Sequence, residues 1–127
     1  MANIVLIHGA YQGGWIWQPV AQILRGAGNN VFAPTLDGCA ERSHQVRNGI
    51  TTETHGDEIA NLLFYEDIKD AVLVGTSCGG MVMAKAAELA RHRVKRHVFA
   101  DALALMDGER IADFVNRETA NNNDIIF

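Results

Sequence analysis

The sequence predicts an α/β fold: a parallel, doubly wound sheet with helices on both faces. Four short apolar runs rich in β-branched residues alternate with segments whose apolar residues recur at helical spacing, and this alternation is typical of such a sheet. Residues able to do chemistry directly follow two of the runs, His8-Gly9 after the first and Ser77 after the third. Because parallel sheets bind ligands at the carboxyl ends of their strands, we expect a site at this edge.

Each predicted strand is short and ends at a turn signal. The first is continuously apolar and stops at His8-Gly9, as expected of a strand buried on both faces. The second ends at Pro34, and a polar loop without periodicity, residues 35–52, follows it. The predicted strands are Ile4 to Ile7, Val31 to Ala33, Ala71 to Val74, and Val98 to Ala100.

Apolar residues at helical spacing predict helices between the strands and after the last one. In the first helix Ile16, Val20 and Ile23 share a face, and the glycines at 26 and 28 close the segment. The third begins directly after the serine and has basic residues at its far end, where they complement the helix dipole. The predicted helices are residues 15–26, 54–65 and 79–93, and a last one that starts at Met106.

Composition and charge limit the classes of partner. The 127 residues carry 15 acidic and 11 basic side chains, a net charge of -4, which does not favour nucleic acid or anionic lipid. The apolar runs are too short for a membrane span or a signal peptide, so we expect a cytoplasmic protein. Cys39 and Cys78 do not have the spacing of a zinc site, and we expect no disulfide framework, metal or cofactor. A small organic substrate is consistent with this composition and weak negative charge.

The run Gly75-Thr76-Ser77-Cys78-Gly79 lies between a predicted buried strand and a predicted helix. In this setting a Gly-x-Ser-x-Gly run makes a sharp turn that exposes its serine, and only small residues two positions to either side let the strand and the helix approach. The alternative is a phosphate-binding or Rossmann turn, but the sequence contains neither Gly-x-Gly-x-x-Gly nor Gly-Lys-Ser/Thr. We therefore predict that Ser77 is a nucleophile.

Two backbone amides are candidates to stabilise negative charge near this serine. The N–H of Cys78 begins a helix, where unpaired amides favour an anion. The turn Gly9-Ala10-Tyr11 lets the backbone approach a substrate, so we assign the second oxyanion donor to the N–H of Ala10 and expect Tyr11 to line the pocket. Cys78 is expected to act through its backbone and not through its thiol.

Several segments together carry a resemblance to a known family. They are residues 8–15, residues 38–44, the elbow from Gly75 to Gly80, residues 99–102, and Asp107-Gly108. These segments resemble the small esterases of the α/β-hydrolase superfamily, a group similar to plant methyl esterases, hydroxynitrile lyases and bacterial pyrethroid-hydrolysing carboxylesterases. The resemblance implies hydrolysis of a small or medium hydrophobic carboxylic ester through an acyl-enzyme on Ser77. It also implies a helical cap that begins near Asp107.

The base that this chemistry needs is not evident in the sequence. The triad of this fold runs serine, acid, histidine along the chain. After the serine, His92 falls at the far end of the predicted helix and His97 at the start of the fourth strand, both away from the site. For His8 we expect structural hydrogen bonding. The histidines at 44 and 55 are expected to be surface or packing residues.

We therefore expect the acid and the histidine to come from a carboxyl-terminal segment of a longer protein. A sheet that ended at the fourth strand would also leave an apolar edge unpaired. In this interpretation residues 1–106 are the amino-terminal part of the hydrolase core, and residues 107–127 are the start of the cap. The sequence gives no indication of the oligomeric state.

Three questions stay open at this level. Asp101 ends the fourth strand: some haloalkane dehalogenases carry their acid at a similar place, whereas in the esterases such an Asp lies beside the pocket. A hydroxynitrile lyase-like activity shares the Ser-Cys-Gly-Gly run, but those enzymes carry a Thr hydroxyl after the first-strand histidine, where this chain has Gly9. A non-catalytic receptor for a small molecule is the third possibility.

Overall fold

A computed structural model describes residues 1–102, and for the last two of these the backbone alone. This part of the chain forms one sheet in the order β2-β1-β3-β4, in which every pair of neighbours is parallel. The strands are β1 (Asn3–Ile7), β2 (Asn30–Phe32), β3 (Ala71–Ser77) and β4 (Val94–Ala102). The parallel sheet predicted from the sequence is confirmed.

Three α-helices connect the strands: α1 (Gln18–Gly26), α2 (Thr52–Tyr65) and α3 (Gly79–Leu89). The side chain of Thr51 accepts a hydrogen bond from the N–H of Thr54, whose side chain in turn accepts one from the N–H of Thr51. This reciprocal pair caps α2 and fixes its first residue. Short 3-10 helices cover Gly14–Trp17, Ala40–Gln45 and Arg91–Arg93.

The two faces of the sheet bury separate apolar cores. Along β1, Val5 and Ile7 belong to the core beneath α2 and α3, whereas Ile4 and Leu6 belong to the core beneath α1. Successive side chains of a strand point to opposite faces, so a strand covered on both sides is apolar at every position. This double burial explains why β1 has no polar residue between Ile4 and Ile7, and it confirms the doubly wound arrangement.

Two predicted elements differ most from the structure in their bounds. The helix expected to reach Arg93 ends at Leu89, because Ala90 leaves the helical region with φ -127° and ψ 44°. The fourth strand, predicted at Val98 to Ala100, extends over nine residues. Its first half is largely exposed and basic, so it lacks the apolar pattern that identifies buried strands. His97 lies inside this strand, paired with Leu73, and does not begin it.

The helix predicted after Met106 and the cap segment 107–127 lie outside the described residues. Within residues 1–102, no helix combines the length and the apolar character that a membrane crossing requires.

Candidate active site

The order of the strands creates a crevice at the carboxyl ends of β1 and β3. The chain passes from β1 to β2 on one side and then returns to place β3 on the other side of β1. Connections that leave in opposite directions open a cleft between the two strand ends, and parallel α/β sheets bind their ligands there. The register pairs Ile7 with Gly75, so the segments that begin at His8 and at Thr76 emerge side by side.

Ser77 occupies the turn between β3 and α3 in a strained conformation. It is the last residue of the strand, the helix starts at Gly79, and the φ angle of Ser77 is 51°. Residues other than glycine rarely adopt this left-handed region, and where they do, the strain is often part of a functional site. The side chain is half-buried, and among the described residues the one hydrogen-bond partner of its Oγ is the sulfur of Cys78, at 4.0 Å.

Two glycines make this turn possible because no side chain fits at their positions. A Cβ on Gly75 would lie 2.8 Å from the carbonyl oxygen of Gly79. A Cβ on Gly79 would lie 2.6 Å from the carbonyl oxygen of Ile7 and 2.8 Å from that of His8. Helix α3 therefore packs directly on the backbone of β3 and β1, as the sequence pattern predicted for small residues at these two positions.

The segment after β1 packs against the serine in a similar way. A Cβ on Gly9 would lie only 2.7 Å from the Cβ of Ser77 and 3.1 Å from the carbonyl oxygen of Thr76. The next two residues turn outward: Ala10 is exposed, and Tyr11 is fully exposed with a φ angle of 61°. The structure thus brings together the serine and the turn that were predicted to form one site.

Two N–H groups at this point have no hydrogen-bond partner within residues 1–102: those of Ala10 and Cys78. The neighbouring N–H of Gly9 is occupied, because it donates to Oε1 of Gln12 at 2.8 Å. Cys78 also caps α3, so its amide lies at the positive end of the helix dipole. Free amides beside a half-buried hydroxyl can donate hydrogen bonds to an anionic oxygen.

His8 holds the two loops of the site together from beneath. It is 1% exposed. Its Nδ1 donates to the carbonyl oxygen of Gly9 at 2.8 Å, and its Nε2 accepts from the N–H of Leu36 at 2.9 Å. Both ring nitrogens are therefore engaged with the backbone, as expected of a structural histidine. Burial lowers the pKa of His8, and the hydrogen bond to Gly9 opposes that effect only in part.

A second contact joins the same two loops. The N–H of Gly14 donates to Oγ1 of Thr35 at 2.9 Å, and this hydroxyl donates in turn to Glu41 at 2.8 Å. Hydrogen bonding from Thr35 lowers the pKa of the Glu41 carboxyl. The backbone after β1 is thus fixed to the loop after β2 at two separate points.

The loop after β2 is organised by charged side chains, whose contacts were not predicted from the sequence. Nη1 of Arg42 donates to the carbonyl oxygen of Thr35 at 2.7 Å and to Glu58 of α2 at 2.8 Å. Arg47 forms an ion pair with Asp37 at 2.7 Å and lowers the pKa of that carboxyl. These partners are up to 16 residues apart, so local periodicity carries no sign of them. The segment expected to be an irregular surface loop is a stable support of the site.

None of the five histidines lies within hydrogen-bond distance of the Ser77 hydroxyl in the described part of the chain. Nε2 of His55 bonds to the carbonyl oxygen of Asp37 at 2.9 Å, and His44 is exposed. His92 lies beyond the end of α3, whose 11 residues span about 16 Å from the elbow.

The candidate acid Asp101 lies on the last described strand. Asp101 belongs to β4, whose neighbour Ala102 pairs with Ser77, so its backbone lies at the carboxyl edge of the sheet. No group of three or more acidic, histidine or cysteine side chains able to hold a metal occurs among residues 1–102.

Comparison with known proteins places this geometry in a wider group. A sequence profile described as the alpha/beta hydrolase family matches residues 4–124. The carbendazim hydrolyzing esterase of Nocardioides sp. (strain SG-4G) is 37% identical over 111 residues, which cover 87% of this chain and 46% of that protein. The alpha-hydroxynitrile lyase of Arabidopsis thaliana is 31% identical over 101 residues, which cover 79% of this chain and 39% of that protein.

Among solved structures, an extracellular alpha/beta-hydrolase from a Paenibacillus species matches with a TM-score of 0.77 and 28% identity. The match covers 97% of this chain and 54% of that one. That protein is described as sharing structural and functional homology with tobacco salicylic acid binding protein 2. The fold is therefore the α/β-hydrolase fold, and the chain spans about half the length, or less, of the relatives it matches.

Proposed function

The chain belongs to the alpha/beta hydrolase family, and from that premise we propose that it carries the nucleophile of a serine esterase, Ser77. The observation that carries the proposal is the backbone conformation of Ser77. Its φ angle of 51° in a strand-to-helix turn is a strained conformation that packing must maintain. Gly75 and Gly79 permit it, since a Cβ at either position would collide with backbone atoms.

In the proposed reaction, the hydroxyl oxygen of Ser77 attacks the carbonyl carbon of an ester. The carbonyl oxygen becomes an oxyanion and accepts hydrogen bonds from the amides of Ala10 and Cys78. The tetrahedral intermediate then expels the alcohol, which takes up a proton, and leaves the acyl group on the serine. A water molecule attacks this acyl-enzyme, releases the carboxylic acid and returns the proton to the serine oxygen.

A histidine must accept the serine proton and deliver it to the leaving alcohol. Both nitrogens of His8 are already hydrogen-bonded to backbone groups, so this residue cannot serve without leaving its place. We place the histidine, and the acid that orients it, in a carboxyl-terminal segment beyond these 127 residues. The lengths of the relatives support this, because the chain covers 46% of the carbendazim hydrolyzing esterase. In this proposal Asp101 is a pocket residue. The alternative is that Asp101 supplies the acid and the carboxyl-terminal segment supplies the histidine alone.

We propose a small or medium hydrophobic ester as the substrate. Tyr11, the last residue of the turn Gly9-Ala10-Tyr11, is fully exposed, and Trp15, four residues later, is 63% exposed. A large exposed aromatic side chain on the turn that contacts the serine is suited to pack against an apolar ligand, and a second one lies close by in the chain. The name of the Nocardioides relative, a carbendazim hydrolyzing esterase, is consistent with a small organic substrate.

The second candidate is a lyase, which the match to an alpha-hydroxynitrile lyase favours. The packing around Gly9 argues against it. The resemblance implies a threonine at this place in hydroxynitrile lyases, but here even a single carbon atom would lie 2.7 Å from the Cβ of Ser77. Gln12 fills the remaining space, since its Oε1 is 3.1 Å from the same position. Hydrolysis is therefore the better proposal.

Labelling with a fluorophosphonate probe tests whether the serine is activated. We expect the full-length protein to be labelled, and Ser77→Ala to abolish both labelling and hydrolysis of p-nitrophenyl esters. Ser43→Ala is the matched control, because Ser43 is the only other serine of the chain and is exposed on a 3-10 helix. Cleavage of mandelonitrile without ester hydrolysis would show that the activity is that of a lyase and not of an esterase. Binding of a small ligand without labelling of the serine would favour the non-catalytic receptor instead.

A further inference from the structure

We propose that His8 is a positioning residue: it sets the orientation of the Gly9–Ala10 peptide and so aims the N–H of Ala10 at the oxyanion. This inference rests on the proposed function. It assigns a task to a buried histidine that the proposed reaction steps do not use. The observations behind it are two hydrogen bonds of His8, one of Gln12, and the planarity of the peptide bond.

The carbonyl oxygen of Gly9 and the N–H of Ala10 belong to the same peptide unit. The peptide bonds within residues 1–102 are all trans, so the two groups point in opposite directions from one plane. Nδ1 of His8 donates to that carbonyl oxygen at 2.8 Å and holds it toward the buried imidazole. The N–H of Ala10 must then face the opposite way, toward the exposed side of the turn.

The imidazole can perform this task because it is itself fixed. Its Nε2 accepts the N–H of Leu36, a backbone group of a different loop, at 2.9 Å. Since an amide can only donate and a carbonyl can only accept, the two partners require the neutral ring with its proton on Nδ1. A side chain that is 1% exposed and bonded at both ends has one orientation available.

Gln12 completes the arrangement from the other side. Its Oε1 accepts the N–H of Gly9 at 2.8 Å, which removes that amide from competition for a ligand. Two consecutive amides are thereby made different: that of Gly9 is satisfied inside the loop, and that of Ala10 is left without a partner among the described residues.

Two substitutions separate the two hydrogen bonds of His8. In His8→Asn, the amide nitrogen stands near the place of Nδ1 and can still donate to Gly9. In His8→Gln, the amide is one bond farther out, near the place of Nε2. Its oxygen can accept the N–H of Leu36 there, but its nitrogen is poorly placed to donate to the carbonyl oxygen of Gly9. His92→Gln makes the same chemical change at an exposed histidine beyond the end of α3 and serves as the control.

Each full-length variant is assayed for p-nitrophenyl butyrate hydrolysis, with kcat expressed per active site titrated by the fluorophosphonate. We expect His8→Gln to lower this kcat by about 10- to 100-fold, part of the loss seen when an oxyanion donor is removed, with KM changed by less than about threefold. His8→Asn is expected to recover most of the rate, and His92→Gln to match the wild type. Affinity for a trifluoromethyl ketone, whose adduct carries the oxyanion, should fall in parallel with kcat/KM.

The outcomes separate the inference from the proposed function. If His8→Asn and His8→Gln lower only the titrated fraction of active sites and keep the same kcat per site, the histidine is merely structural and the inference is overturned. If the wild-type protein shows neither labelling nor ester turnover, the proposed function fails, and the inference fails with it.

Discussion

The α-carbon of Gly9 and the Cβ of Ser77 are in such close contact that no carbon atom can be added between them. A Cβ on Gly9 would lie 2.7 Å from that of the serine, closer than real Cβ contacts come. This contact joins the end of β1 to the end of β3, so the proposed nucleophile and the turn Gly9-Ala10-Tyr11 pack directly against each other. It also explains why the position after His8 is a glycine although its backbone conformation does not require one.

The glycines of the elbow provide a direct test of this packing. We expect Gly79→Ala to destabilise the protein by about 1–3 kcal/mol, the usual effect of adding a carbon to a packed interior. The added Cβ would lie 2.6 Å from the carbonyl oxygen of Ile7, and backbone there cannot rotate away. Ester turnover should fall as well, because α3 must move away from β1. Chemical denaturation and p-nitrophenyl ester assays measure the two effects.

Gly26→Ala is the matched control for that substitution. Gly26 ends α1, and a Cβ added there has no neighbour within 4 Å. We expect this variant to be more stable by about 0.4–1 kcal/mol, because alanine restricts the unfolded chain. Equal stability changes at positions 26 and 79 would mean that the elbow is not closely packed.

The sequence predicted those parts of the site whose determinants are local. The elbow is five consecutive residues where an apolar strand meets a helix. The serine and its two small neighbours can be read directly from the sequence, and together they predict the sharp turn. The turn after β1 was recognised in the same way, since Gly9 directly follows a buried strand. Even the structural role of His8 followed from its place at the end of that strand.

What the sequence did not predict depends on partners far apart in the chain. The acceptor Nε2 of His8 and its donor Leu36 are 28 residues apart. The hydrogen bonds of the loop after β2 span up to 21 residues, as where the backbone N–H of Asp37 donates to the carboxylate of Glu58, and they leave no periodic pattern. The first half of β4 escaped recognition because Lys95, Arg96 and His97 are exposed and do not alternate with apolar residues.

The guanidinium of Arg42 should contribute measurably to stability. Its Nη1 binds the carbonyl oxygen of Thr35 and the carboxylate of Glu58, and its Nε donates to Gln45 at 2.8 Å. A lysine cannot make these contacts at once, so we expect Arg42→Lys to destabilise the protein by about 1–2 kcal/mol. The free energy of unfolding in urea measures the change.

Lys69→Ala is the control variant, because it removes a charge that makes no comparable set of hydrogen bonds. Lys69 is 74% exposed and lies 3.9 Å from Asp67, and removal of an exposed pair changes stability by less than about 0.5 kcal/mol. If Arg42→Lys is no more harmful than Lys69→Ala, the loop after β2 does not depend on the arginine.

The lowered pKa of His8 predicts a dependence of stability on pH. Burial makes the folded protein bind this proton less well than the unfolded chain, whose histidine titrates near 6.5. The stability is therefore complete above that value and decreases as the pH falls from about 6.5 toward 5. Asp37 and Glu41, whose pKa values are lowered from 3.8 and 4.5, lose their contributions only at more acidic pH.

Urea denaturation of the full-length protein between pH 7.5 and 5 measures this effect. The decrease should be smaller in His8→Asn, which has no group that titrates there. An equal decrease in the variant would assign the pH dependence to other groups, since His55, Glu41 and Glu58 also act on His8 through their charges.

The most direct test of the account is to locate the acyl group during turnover. The full-length protein is mixed with a p-nitrophenyl ester, quenched in acid before the intermediate hydrolyses, digested, and mapped by mass spectrometry. The account predicts that the acyl group is found on Ser77 and is absent from Ser77→Ala. An acyl group on Cys78 or another residue, or continued turnover by Ser77→Ala, would contradict it.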